Sequence, residues 1–388
     1  MTQHNNYNGL HPAVEAILTQ GFDGMAESMR IIVNEAMKIQ RSAVLEAEPF
    51  ERNDSRKGYA NGFKNKTINA RVGQIDLDVP QVRGGDSFYP DAIEKGLRTE
   101  RSMNLAICEM YIQGVSTRKV EPILQQLAGV SISRQKVSDV AAELDEELEK
   151  WRQRKLDWVR YMIVDARYEK VRVDGLVRDC AVLVAYGGRG DGRRTVLGVS
   201  VSLSEAEVHW RDFLRSLKER GLHGLDLITS DSHSGLKAAL KTEFGGVKWQ
   251  RCKFHLQQNA SGYVPRIELR KEVAEDIRSV FNAPDLDEAK RLLGIKVLKY
   301  KKVASKLSEW MEESIPESFS CFNFPSAHRK RIRTSNVAEV CNKEIKRRTR
   351  VIGIFPNEAS LLRICTAHLK ALDDKWDSGK RYLNMEFT

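Results

Sequence analysis

RYMIVDARYEK (residues 160–170), LVRDCAVLVAYG (176–187) and RRTVLGVSVSL (193–203) follow one another with almost no interruption. Each is apolar, rich in β-branched residues and short, so each reads as a strand. The intervening GGRGDGRR (187–194) has the glycines of a phosphate-binding loop, but no helix follows it, and a hairpin turn is the better reading. Downstream the texture alternates: a helix over 205–220, the strand LDLITSD (225–231), the helix SGLKAALKTEF (234–244) and the short strand GVKWQRC (246–252). Three antiparallel strands extended by parallel ones, with helices between, predict an α/β sheet domain.

The charge of the chain narrows its partners. Across 388 residues Lys and Arg exceed Asp and Glu by 10, and the pI is about 9.2. Between His328 and Arg350 nine Lys/Arg meet two Glu, so this window holds seven of the ten net charges. So concentrated a patch favours a polyanion, with nucleic acid ahead of a membrane surface. No run of 18 apolar residues exists, and the opening MTQHNNYNG lacks a charged-then-apolar leader, so a cytoplasmic protein with no membrane span is expected. The six cysteines are scattered without framework spacing and read as reduced thiols.

Six segments are expected. Residues 1–50 carry apolar positions at helical spacing, broken near Gly21–Gly24, and form a helical dimerisation or DNA-binding region. Residues 51–97 turn to Gly, Asn and Lys with strand-like alternation at Val72, Ile75, Leu77 and Val79, a small basic β module. Within 98–157, MYIQGVSTRKVEPILQQLAGVSISRQKVSDVAAELDEELEKW (110–151) predicts three helices. One ends at Gly114; one is capped by Ser116 and reaches Leu127 despite Pro122; one is capped by Ser133 and turns Val137, Val140, Ala141, Leu144 and Leu148 inward. The last two make a helix-turn-helix candidate, with Arg134, Gln135 and Lys136 opening the recognition helix. Residues 158–256 hold the strands above, 257–327 read as an all-helical insertion, and 328–388 return to the sheet domain with a basic helix and a final helix from about Glu358 to Trp376. The strand plan is that of a ribonuclease H-like core.

Asp165 in YMIVDARY and Asp231 in LDLITSDSHSG each stand at the end of an apolar run, which places them at a sheet rim, where ligands bind. Either alone is an ordinary turn or cap residue. Two in adjacent elements, with a Glu-bearing basic helix downstream, suit a pair of divalent cations, and hard oxygen ligands select Mg²⁺. In RTSNVAEVCNKEIKRRTR (333–350), helical periodicity puts Val337, Val340, Cys341 and Ile345 on one stripe with Glu344 inside it, and Glu339 on the face of Lys343, Lys346 and Arg350. Glu339 is therefore favoured as the third carboxylate. An i,i+4 pair with Lys343, worth ~0.3–0.5 kcal/mol, or a capping role after Asn336 would also account for it. Arg333, Lys343, Lys346, Arg347, Arg348 and Arg350 are the candidate DNA-contacting cations. WQRCKFHLQQN adds Cys252 and His255, by spacing half a zinc site without a second pair, which reads as support for the active-site rim or a DNA contact.

Together these motifs resemble the Mutator-type family of bacterial insertion-sequence transposases, a branch of the DDE transposases. The resemblance runs from RKGYANGFKNKTI and GQIDLDVPQVR through VSISRQKVSDV, VDARYEKVR, SDSHSGL and QRCKFHLQQN to RTSNVAEVCNKEIKRRTRVIGIFPNEAS, which is the most specific of them. It implies a catalytic triad of Asp165, Asp231 and Glu339 and two Mg²⁺ per active site, with Mn²⁺ able to substitute. It also implies double-stranded DNA as partner, both the element's terminal inverted repeats and the target, held by a homodimer that cleaves element ends and transfers strands. The 108 positions from Asp231 to Glu339 are too many for one connection and agree with an inserted domain. Two departures from the family are Gln81 for Arg in VPQVR and Ser232 for Gly after the second aspartate, neither of them a metal ligand. The rival readings are a non-enzymatic regulator that occupies inverted repeats and a stand-alone Mg²⁺ nuclease on the same fold.

Overall fold

A computed structural model describes residues 10–84, 88–96 and 98–385; the opening MTQHNNYNG lies outside them. The chain divides into two compact units, Met1–Tyr111 with Val115–Glu143, and Ile112–Gly114 with Leu144–Thr388.

In the first unit, α1 (Leu10–Gln20) and α2 (Met25–Leu45) are separated by a 3₁₀ turn over Gly21–Gly24, at the break the glycines predict. Gly24 is needed there because a Cβ would fall 2.2 Å from the Ala16 carbonyl oxygen. β1 (Tyr59–Ala70) and β2 (Gly73–Arg83) form an antiparallel hairpin. Ile75, Leu77 and Val79 alternate onto its buried face and pack with Met37 of α2 and with Ile93. α3 (Arg101–Ile112), α4 (Thr117–Ala128) and α5 (Arg134–Ala142) follow. α4 runs through Pro122 and closes on Gly129, whose φ of +63° is the left-handed conformation that favours glycine. Ser133 caps α5 by accepting from the Lys136 N–H, whereas Ser116 occupies the N-cap of α4 without a side-chain bond. Arg134 and Gln135 are exposed and Lys136 is half-buried.

The helix expected to run on to Leu148 instead stops at Ala142, and α6 (Asp145–Arg152) begins anew in the second unit. Asp145, Glu146 and Glu147 crowd its first turn, where the helix dipole favours anions, and the same three charges would be misplaced mid-helix.

The second unit is built on β3 (Val159–Val173), β4 (Leu176–Arg189), β5 (Arg194–Ser202), α7 (Glu207–Glu219), β6 (Leu227–Ser230), α8 (Ser234–Glu243) and β7 (Lys248–Arg251). Strand order is β5-β4-β3-β6-β7, with the first three antiparallel and β3, β6 and β7 parallel. A run of helices follows: α9 (Lys253–Ala260), α10 (Leu269–Phe281), α11 (Leu286–Tyr300), α12 (Ser305–Ser314) and α13 (Ser326–Ile332). It begins at Lys253, four residues before the position expected from sequence. α14 (Asn336–Ile352), the short β8 (Ile354–Phe355) pairing parallel with β3, and α15 (Glu358–Asp377) complete the unit.

From Cys180 to Gly188, β4 is buried on both faces because both are covered. Ala181, Leu183 and Ala185 join Trp210, Phe213, Leu214 and Leu217 of α7 and Leu236 of α8 in one core. Tyr186 points the other way and meets Trp376 of α15 edge-on. Each fully buried side chain of this size contributes about 1.5–3 kcal/mol. A second core joins Tyr161 of β3 and Leu227 of β6 to Val273, Ile277, Leu307 and Met311, so the helical run packs on the sheet. No described helix is long and apolar enough to cross a membrane, and all six cysteines are free and buried.

Candidate active site

Asp165 does not end its strand, as its sequence context suggests; β3 continues to Val173. What ends there is the parallel neighbour. On this edge β3 pairs with β6 over Tyr161–Ile163 and with β8 over Lys170–Val171, and Asp165 falls in the interval between. β6 stops at Ser230, and Asp231 is the next residue. Both carboxylates therefore stand where a parallel pair runs out, the position at which open α/β sheets bind ligands.

Their electrostatics follow from that placement. Burial first, and the Asp231 charge second, raise the Asp165 pKa to about 7. Asp165 Oδ2 accepts a hydrogen bond from Asn342 Nδ2 at 2.7 Å. Asn342 lies on α14, one turn beyond Glu339. The same helix is tied to β3 twice more: Arg167 donates to the Asn342 carbonyl and to Glu169, and Thr349 Oγ1 donates to Glu169 at 2.8 Å.

Neither structural use of Glu339 is realised. Among the described residues it forms no ion pair with Lys343, and its Oε1 is buried with no hydrogen-bond partner. The N-cap of α14 is Ser335, and its N–H and hydroxyl both go to Cys252 Sγ, at 3.3 and 3.2 Å.

Cys252, at the N-cap of α9, and His255, in its first turn, face the same place. Among the described residues, ligand atoms of Cys252, His255 and Glu339 form a group lying within 4.8 Å of one another. The hydrogen bond with Cys252 raises the His255 pKa to about 9, against burial, and the charges of Cys252, Asp165 and Glu339 add to this. Burial would push the Cys252 thiol up, yet hydrogen bonds from His255 and Ser335 bring it below the ordinary range. His255 Nδ1 has no partner. Sequence spacing alone shows half a metal site here; only the fold brings Glu339 to it.

The basic helix is rotated relative to its periodicity reading. Val337, Cys341 and Ile345 are buried as expected, but Val340 is 52% exposed, and Ala338, Arg348 and Thr349 are buried in its stead. Thr349 is drawn in by Glu169, which sets the angle. Arg348, counted from sequence among the DNA-contacting cations, is instead buried and donates to Glu344 and to Gln113. Glu344 also pairs with Arg347 at 3.3 Å, so it serves the helix rather than the carboxylate pair. Arg333 is half-buried and donates to the Phe281 carbonyl and Asn282. Lys343, Lys346, Arg347 and Arg350 are exposed. Asn342 was missed from sequence because an amide on a charged helix carries no periodic signal.

An acidic centre at a sheet edge, served by a helix whose outer face is cationic, defines a class of protein that works on a phosphate-bearing polymer. Residues 1–379 match the family described as "Transposase, Mutator family". The chain is 54% identical over 379 residues to the transposase for insertion sequence element IS406 of Burkholderia multivorans, covering 97% of each chain. It is 39% identical to the transposase for element ISRM5 of Rhizobium meliloti, over 96% of this chain and 94% of the relative. With the transposase for element IS256 in transposon Tn4001 of Staphylococcus aureus it shares 33% identity over 92% of each. The chain belongs to the Mutator family of transposases, and its function is insertion-sequence transposition.

Proposed function

We propose that this transposase is a DDE enzyme on a ribonuclease H-like core: it binds the terminal inverted repeats of its element, cleaves the ends and joins them to target DNA. The observation that carries the reading is the placement of Asp165 and Asp231 where β3 and β6 cease to pair, with Asp165 holding its proton up to about 7. Two carboxylates that repel each other in a half-buried site are short of a cation. The donor set fits Mg²⁺: hard oxygens, of which Asp165 has a single side-chain donor and Glu339 Oε1 has none. Asp165, Asp231 and Glu339 would hold two such ions, with Mn²⁺ as a substitute. When bound, the ions acidify the attacking water or 3′-hydroxyl and offset charge on the leaving oxygen.

The chain's own residues do the rest. Asn342 fixes the orientation of the Asp165 carboxylate, and Arg167 and Glu169 hold α14 at the depth that lets it do so. Lys343, Lys346 and Arg350, exposed on the same helix, hold the phosphate backbone, and Arg347 and Arg333 add to that field. Arg134, Gln135 and Lys136 open a helix that follows a short connection from α4, which supports groove reading by the first unit. A homodimer in the bacterial cytoplasm holds the two element ends.

The test is to incubate the protein with Mg²⁺ and element-end DNA and to resolve nicked and joined strands. Wild type gives both products. Nicking at the wild-type rate in Asp165→Asn, Asp231→Asn or Glu339→Gln overturns the triad, and nicking without a joined product leaves only a nuclease.

A further inference from the structure

The two-ion reading has no use for Cys252 and His255. They are nonetheless the best-supported pair in the site. Cys252 ends the β7 connection, with its N–H on the Ser230 carbonyl at 2.7 Å, and His255 sits on the first turn of α9. Their ligand atoms and a Glu339 carboxylate oxygen lie within 4.8 Å of one another. Two further facts point to a missing occupant. His255 Nδ1 and Glu339 Oε1 are both buried without a hydrogen-bond partner, and both belong to the three residues whose ligand atoms are grouped. And Cys252 Sγ receives two donors from Ser335, the outer support that a thiolate ligand has.

We propose that Cys252, His255 and Glu339 bind one thiophilic divalent cation, Zn²⁺ by class. Sulfur, imidazole and carboxylate together match Zn²⁺, whereas Mg²⁺ takes hard oxygens and gains little from a thiolate. Three protein ligands leave a fourth position open for water or a DNA phosphate oxygen. All three come from ends of elements, the β7–α9 junction and the first turn of α14, so small side-chain rotations close the set without moving the sheet. Glu339 is shared with the centre at Asp165 and Asp231. Zn²⁺ held here withdraws Glu339 from that centre, so it inhibits Mg²⁺-supported cleavage. This consequence rests on the catalytic reading above; the binding does not.

The experiment uses the full-length protein free of metal. Co²⁺, which replaces Zn²⁺ and is coloured, is titrated in, and the near-ultraviolet thiolate-to-cobalt charge-transfer band is followed. The expected result is one equivalent of band-forming Co²⁺, displaced by Zn²⁺ and not by excess Mg²⁺. Cys252→Ser abolishes the band, and Glu339→Gln and His255→Ala weaken Co²⁺ binding at least tenfold. Absence of the band in the wild-type protein overturns the site whether or not any variant folds, and so does a band that survives Cys252→Ser. In a separate arm, Zn²⁺ added to an Mg²⁺ nicking reaction lowers the rate. A band without that inhibition overturns the sharing of Glu339, and a band in a protein that never nicks DNA overturns the catalytic reading and leaves the zinc site standing.

Discussion

Two aspartates in the second unit are packed among their neighbours and handled in opposite ways. Asp276 on α10 accepts from Lys296 Nζ, Lys299 Nζ and Tyr300 Oη, each at 2.6 Å. Burial would raise its pKa, yet these donors hold it below the ordinary carboxylate range. Asp165 has one side-chain donor, Asn342, and a second carboxylate for a neighbour, and burial with that charge lifts it to about 7. Asp276 is buried and Asp165 half-buried, and only Asp276 completes its hydrogen bonds. Satisfaction, not burial, separates a carboxylate that holds the fold from one kept for an incoming cation.

The contrast breaks most visibly in paired substitutions. Removing charge at the sheet edge forfeits several kcal/mol of cation-mediated stabilisation, which is on the order of 10³-fold in nicking rate. Asp165→Asn and Glu339→Gln are expected to show that loss in a single-turnover assay while the metal-free protein melts no lower than wild type. For Asp165→Asn the sign is fixed. A carboxyl with a raised folded pKa costs stability as pH climbs from its unfolded value towards 7, so the amide melts higher at pH 8. Asp276→Asn reverses the pattern. It leaves Lys296 without its carboxylate, while Lys299 keeps Glu272, and costs about 3 kcal/mol in urea unfolding, as loss of one partner from a buried pair does, while activity per folded molecule holds. If Asp276→Asn leaves the urea midpoint unchanged, satisfied and unsatisfied carboxylates are not distinguished here.

How far the sequence carries this contrast depends on the kind of signal. The three strands, the break at Gly21–Gly24 and the two strand-associated aspartates are local patterns, and periodicity finds them. The interval between β6 and β8 that isolates Asp165 is a matter of register between segments far apart in sequence, so Asp165 reads as a strand end when it is mid-strand. Arg348 and Val340 exchange places for a similar reason. Helical spacing weighs apolarity, but a tertiary hydrogen bond from Thr349 to Glu169 rotates α14 and takes a guanidinium inside. Cys252 and His255 announce themselves by spacing, while Glu339, their third neighbour, arrives from 84 positions downstream.

His368 on α15 is a third solution, neutralisation instead of pairing. Burial, then the Arg348 charge, lower its pKa to about 4; Arg347 adds to this and Glu344 opposes it. Its folded pKa lies below its unfolded one, so its contribution is present above about pH 6.5 and is lost as pH falls towards 4. At pH 5 the loss is about 2 kcal/mol, at 1.36 kcal/mol per pKa unit. His368→Leu should therefore remove that part of the decline in urea stability between pH 7 and pH 5. An unchanged slope would mean that His368 is charged in the folded protein.

The smallest expected effect falls on the single bond that Asp165 does have. If Asn342 merely stapled α14 to β3, its loss would show as stability, and Arg167 and Thr349 would cover most of it. If it aims Asp165, the loss appears in metal demand. Outer partners of metal ligands typically contribute tenfold or more, so Asn342→Leu is expected to raise the Mg²⁺ concentration for half-maximal nicking about tenfold. Affinity for end DNA measured without metal should not move, and Asn342→Gln, which keeps the donor, should recover part of the loss. An Mg²⁺ requirement equal to wild type in Asn342→Leu would make the 2.7 Å bond a structural one and place Asp165 closer to Asp276 than its raised pKa suggests.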